Sequence, residues 1–232
     1  MKLFLISVLL VGLSLGTGCQ QTGKSIASES QTKENSASLV SEHVEKEHFH
    51  SHEKTSASQG IFEDSAVQDR LLSDWEGSWQ SVYPYLVDGS LDEVFKEKAK
   101  DGEKSFEEYK EYYEKGYQTE IEAIDIVKNT ISYRIDGKWQ EAQYDYSGYK
   151  ILTYESGKKG VRYLFTATTT NMLAPKYVQF SDHIIEPQKS SHFHIYLGNE
   201  NQDVLLSEMK NWPTFFPSTL NKKEIIHDML YH

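Results

Sequence analysis

The hydrophobic and polar positions follow one rhythm up to about residue 119 and another from there on. Behind Asp64, a candidate N-cap, Val67, Leu71, Leu72 and Trp75 recur at helical spacing and predict an amphipathic helix. LDEVFKEKAK (91–100) and SFEEYKEYYEK (105–115) predict two more, with Tyr109, Tyr112 and Tyr113 on the packed side and Glu and Lys in water. From Glu120 the period drops to two. EIEAIDIV, ISYRI, EAQYDY, YKILTY, RYLFTAT, YVQFSDHII and HFHIYL are short, rich in β-branched and aromatic residues, and divided by turn signals such as Asp136-Gly137, Ser156-Gly157 and Glu186-Pro187. Such a run of hairpins predicts an up-and-down antiparallel sheet, closed as a barrel so that no edge is left open. QDVLLSEMKN and NKKEIIHDML predict helices at the C-terminal end.

The first 60 residues do not share this patterning. Residues 3–15 are an apolar run behind Lys2, followed by small residues, which predicts a secretory signal over 1–18. The run is shorter than the roughly 20 residues of a membrane span. Cys19, the single cysteine of the chain, stands where a lipoprotein signal places its acylated residue, in Leu15-Gly16-Thr17-Gly18-Cys19. Gly16 replaces the usual larger aliphatic, and an ordinary cleaved signal is the alternative. With one cysteine there is no internal disulfide, so a packed core must supply stability outside the cell. Residues 19–60 are too polar to bury a core and read as a flexible tether, leaving 61–232 as the folded domain.

Charge narrows the function. The chain has 24 basic and 35 acidic residues, net −11, and loss of Lys2 with the signal makes this −12. That balance disfavours nucleic acid, whose phosphates it would repel, and suits a cationic ligand.

The candidate chemistry lies in histidine. His192 and His194 alternate with Phe193 and Ile195 on a predicted strand, so they share a face about 6.6 Å apart. His183 lies on the preceding predicted strand. Any antiparallel register that sets it opposite His192 or His194 brings three imidazoles to one face, with Cβ atoms about 5 Å apart across the pair. Three such rings can direct nitrogens to about 2.0–2.1 Å from one zinc ion. The alternative is a wet sheet face carrying polar residues. A second cluster, HVEKEHFHSH, places His43, His48, His50 and His52 in the tether, as an auxiliary metal-collecting segment or a solvated linker. His227 and His232 read as surface residues.

The domain closely resembles the ZinT family of extracytoplasmic zinc-binding proteins. The resemblance is carried by WEGSWQSVYPYLVDGSLDEVF (75–95), EYYEKGYQTEIEAI (111–124), EAQYDYSGYKILTYESGKKGVRYLF (141–165) and APKYVQFSDHIIEPQKSSHFHIYLG (174–198). It implies a mainly β fold, a calycin/lipocalin-like antiparallel barrel with additional α-helices at both ends of the domain. It also implies that His183, His192 and His194 are zinc ligands, in a protein of zinc acquisition rather than catalysis. ZinT-like domains also occur fused behind the binding domain of some zinc ABC-transporter receptors. Here the expectation is a free-standing lipoprotein, membrane-anchored at Cys19, that delivers zinc to such a receptor, with cadmium, nickel, copper or cobalt able to occupy the same nitrogens.

Two other classes remain open on the residues alone. A zinc hydrolase would use the fourth coordination position, but it needs a placed general base. Asp182 and Glu186 both have the wrong strand parity to share the face of His183. A lipocalin-like carrier of a small organic ligand would use Tyr144, Tyr146, Tyr149, Tyr154 and Tyr163 as the lining of a cup.

Overall fold

The computed structural model describes residues 55–169 and 173–231. Eight antiparallel strands close into a barrel in chain order: β1 (Gly77–Ser81), β2 (Ile121–Val127), β3 (Thr130–Ile135), β4 (Lys138–Thr153), β5 (Lys159–Ala167), β6 (Tyr177–Ser181), β7 (Phe193–Gly198) and β8 (Thr214–Pro217). Five helices accompany them: α1 (Tyr83–Val87), α2 (Asp92–Asp101), α3 (Phe106–Tyr117), α4 (Gln202–Leu206) and α5 (Lys222–Tyr231). This is the expected calycin/lipocalin-like barrel with added helices.

Alternation sets the two sides of the wall. Ile124, Ile126, Tyr133, Tyr163, Phe165, Phe180, Phe193, Ile195 and Phe215 point into one apolar cluster, each at most 1% exposed. A second cluster lies outside the wall, where Val82, Leu86, Val94, Phe95, Tyr117, Ile225 and Met229 pack on Phe216. Strand β8 is therefore buried on both faces, Phe215 inward and Phe216 outward. The domain has two cores sharing one strand rather than the single core expected.

Three expectations change. EAQYDY and YKILTY are one strand, β4, whose register shifts between Tyr146 and Tyr149 around Gly148 at φ 99°. The strands that close the ring, β1 and β8, fall in GSWQS and TFFP, outside the predicted set. Residues 64–75 form no amphipathic helix but two 3-10 turns, Asp64–Ala66 and Leu72–Trp75, with Leu71 60% exposed. The backbone here bonds to distant partners instead of to itself. Gln68 N–H donates to Ile185 O at 2.8 Å, and Asp74 O accepts from Ser190 N–H at 2.8 Å. Trp75 enters the barrel core and stacks on Phe180 at 5.0 Å.

Four of the five tyrosines suggested as a cup are packing residues. Tyr144 and Tyr163 are buried in the barrel core, and the Tyr144 hydroxyl donates to Pro175 O at 2.6 Å. Tyr146 and Tyr149 pack half-buried, their hydroxyls bonded to Asp69 and to Val67 O, while Tyr154 is 39% exposed.

Candidate metal centre

His183, His192 and His194 come together, their ligand atoms all within 4.8 Å of one another. They are the one such group of His, Cys, Asp or Glu among the described residues. Ring centroids are 5.4 Å apart for His183 and His194, 5.8 Å for His192 and His194, and 5.9 Å for His183 and His192. Nε2 of His183 and Nε2 of His194 are already 3.3 Å apart. Two nitrogens at 2.0–2.1 Å from a tetrahedral ion stand roughly 3.4 Å apart, so this pair has the spacing zinc requires.

Each ring is placed by a different device. His194 is on β7, paired with Ser181, and points outward because Phe193 and Ile195 are buried inside the barrel. Its Nδ1 lies 2.7 Å from Thr214 Oγ1, and its ring edge meets Trp212 at 5.5 Å. His192, just before β7, is 4% exposed and stacks on Phe216 at 5.2 Å.

His183 departs from expectation. The ladder ends at Ser181, and His183 sits in the 182–192 connection with φ 64°, a left-handed conformation uncommon for a residue with a Cβ. Extending the Ser181–His194 register would set His183 opposite His192, so its side of the wall was read correctly but its place in a strand was not. Leaving the ladder exposes the ring and frees Glu186 from strand parity. Glu186 lines a cleft of about 430 Å³ together with His183, His192, Ser191 and Lys158.

Arg70 holds this connection. It is fully buried and binds four acceptors: Asp74 at 2.9 Å, Asp182 at 2.5 Å, Ile184 O at 3.3 Å and Gln188 O at 2.8 Å. Its guanidinium lies over the Trp75 ring, 4.1 Å from the centroid. Burial alone would lower its pKa, but the Asp182 charge and the hydrogen bonds to Asp182 and Asp74 outweigh that and raise it. Both neighbours of His183 in sequence thus bond to one nitrogen of a buried cation. The other side of the site is sewn to α3. The Asn211 side chain donates to Lys115 O and Gln118 O, and Trp212 N–H donates to Gly116 O at 2.6 Å. A Cβ on Gly116 would fall 2.4 Å from the Trp212 ring, so only glycine allows this approach.

Arg70, Asp74, Trp212 and Thr214 escaped sequence reading. Their signal was weak: an arginine in the apolar RLLSDW segment, and the NWPT tetrapeptide between two predicted helices. Cys19, His43, His48, His50 and His52 lie outside the described residues.

Residues 53–232 match the family described as ZinT (YodA) periplasmic lipocalin-like zinc-recruitment. The chain is 45% identical over 250 residues to the probable metal-binding protein YrpE of Bacillus subtilis, covering 98% of this chain and 97% of that one. It is 52% identical over 174 residues to the zinc-binding lipoprotein AdcA of Streptococcus pneumoniae, where the match spans 35% of the longer relative. The crystal structure of the Zn(II)-bound ZinT-like domain of that AdcA superposes with a TM-score of 0.74 at 50% identity, over 77% of this chain and 99% of the domain. The chain belongs to the ZinT family.

Proposed function

We propose that this chain is an extracytoplasmic zinc-binding lipoprotein that captures zinc on His183, His192 and His194 and passes it to the substrate-binding receptor of a zinc ABC importer. The observation that carries the reading is the three-imidazole group itself, held on a braced strand and loop with two nitrogens at zinc spacing. The zinc-binding names of its relatives and the Zn(II)-bound structure of a homologous domain support the metal. Neutral imidazoles bind near pH 7 and release the ion as they protonate. Cadmium, nickel, copper and cobalt suit the same nitrogens, so selectivity rests on supply as much as on the site.

The same proposal assigns the rest of the chain. Residues 1–18 direct export, Cys19 carries the lipid anchor, 19–60 tether the 61–232 domain, and His43, His48, His50 and His52 raise the zinc concentration near it. Among the described residues no helix is long and apolar enough to cross a membrane. Binding rather than catalysis is favoured by the zinc-recruitment description of the family and the zinc-binding names of the relatives.

Titration calorimetry of zinc into the metal-free protein tests the reading. One tight site should vanish when His183, His192 and His194 are all replaced by alanine. Unchanged tight binding would overturn the site. Ester or CO2 hydration that needs the same histidines, with Glu186 as base, would overturn the non-catalytic assignment.

A further inference from the structure

We propose that Thr214 is a positioning residue for the metal centre: it fixes the tautomer of His194, holding the ring proton on Nδ1 and leaving the Nε2 lone pair for the ion. This rests on His194 being a zinc ligand.

Thr214 is 2% exposed, and its hydroxyl has one proton to give and two lone pairs. Its Oγ1 lies 3.1 Å from Trp212 O and 2.7 Å from His194 Nδ1. A backbone carbonyl can only accept, so the hydroxyl proton goes to Trp212 O. The oxygen then faces Nδ1 with a lone pair, and Nδ1 must donate. Neutral imidazole has one N–H, so Nε2 is left unprotonated, on the side where His183 Nε2 stands at 3.3 Å.

Trp212 O is itself fixed. Its residue is bonded through N–H to Gly116 O and seated against the Gly116 Cα, and Asn211 ties the segment to the end of α3. The chain of support therefore runs from the α3 terminus through Trp212 O and Thr214 Oγ1 to Nδ1. A metal-ligating histidine whose second nitrogen donates to a fixed acceptor is held in orientation and made more basic, and losing such a partner typically costs 10–100-fold in affinity.

The test uses the full chain, labelled with 15N, and the variants Thr214→Val, Thr214→Ser and His194→Ala. Long-range 1H–15N correlation on the metal-free wild type should show His194 protonated at Nδ1. Thr214→Val should lose that preference and bind zinc about 10–100-fold more weakly, while Thr214→Ser keeps both properties of the wild type. A wild-type proton on Nε2, or wild-type affinity in Thr214→Val, would overturn the proposal. If Thr214→Val does not fold, the wild-type tautomer and the serine variant still decide it. His194→Ala separates the two readings: wild-type zinc affinity in that variant removes the ligand assignment, whereas a loss there without one in Thr214→Val removes only the positioning role.

Discussion

His183 shows how much of a metal site is decided by one backbone angle. At φ 64° its Cβ crowds the backbone, which costs an L-residue about 1–2 kcal/mol relative to the right-handed conformation. Glycine escapes that cost. His183→Gly should therefore be more stable than His183→Ala by about 1 kcal/mol in urea denaturation of the metal-free protein, although both lose the ligand. Equal stability of the two would mean that the loop relaxes when the ring is gone. What sustains the strain is Arg70. Replacing it with Met leaves the Asp74 and Asp182 carboxylates and two carbonyls without their donor, and should destabilise the domain by about 3–5 kcal/mol. Denaturant midpoints would show it, and a loss below 1 kcal/mol would mean that the loop has other anchors. The histidines were legible because H-x8-H-x-H survives as a pattern. Arg70 was not, because RLLSDW shows only Asp74 and Trp75 among its partners, and nothing local says that Asp182, Ile184 and Gln188 complete the set.

At the scale of elements, alternation was a good guide within strands and a poor one beyond their ends. It gave the inward Phe193 and Ile195 and the outward His194, yet it placed His183 on a strand that stops at Ser181. It also missed β1 and β8. GSWQS carries one large apolar residue, and TFFP ends in a proline; neither alternates over enough positions to register. Burial on both faces explains β8, since Phe215 and Phe216 serve different cores and erase the period of two. Helix α3 was legible from its charged amphipathic pattern, and a capping box that joins Ser105 and Glu108 fixes its start. Its far end carries a further expectation. Gly116→Ala would press a methyl onto the Trp212 ring and shift the segment that carries Thr214. Overpacking of this kind costs about 1–3 kcal/mol, and zinc affinity should fall with it. A calorimetric titration with unchanged affinity would separate α3 from the metal centre.

For the molecule as a whole, the proposed assignment makes zinc and protons compete for the same imidazoles. The zinc-loaded native state holds its ligands neutral, so it binds fewer protons than the unfolded chain once the pH drops below the ordinary histidine pKa of about 6.5. Stabilisation by zinc is then present above that range and is lost as pH falls through it. Excess zinc at 100 times its dissociation constant should add about 2.7 kcal/mol at neutral pH, with the gain shrinking steadily toward pH 5. Thermal melts with and without zinc at a series of pH values would check this. A zinc-induced shift that is constant with pH would point to carboxylate ligands instead.

The closed ring also limits how another protein can take hold of this one. Eight strands close the ring, so strand edges are open only where one strand outruns its neighbour, as β4 does beyond its last pair with β3 at Gln143. Docking by addition of a partner's strand is therefore confined to such overhangs. Elsewhere a partner must meet the barrel through side chains and loops. On the proposed zinc assignment, the exposed His183 on its braced connection is the ligand that such a visitor reaches first, while His192 stacks on Phe216 and is buried. Exchange of the ion then has a direction, opening at the loop and finishing at the strand.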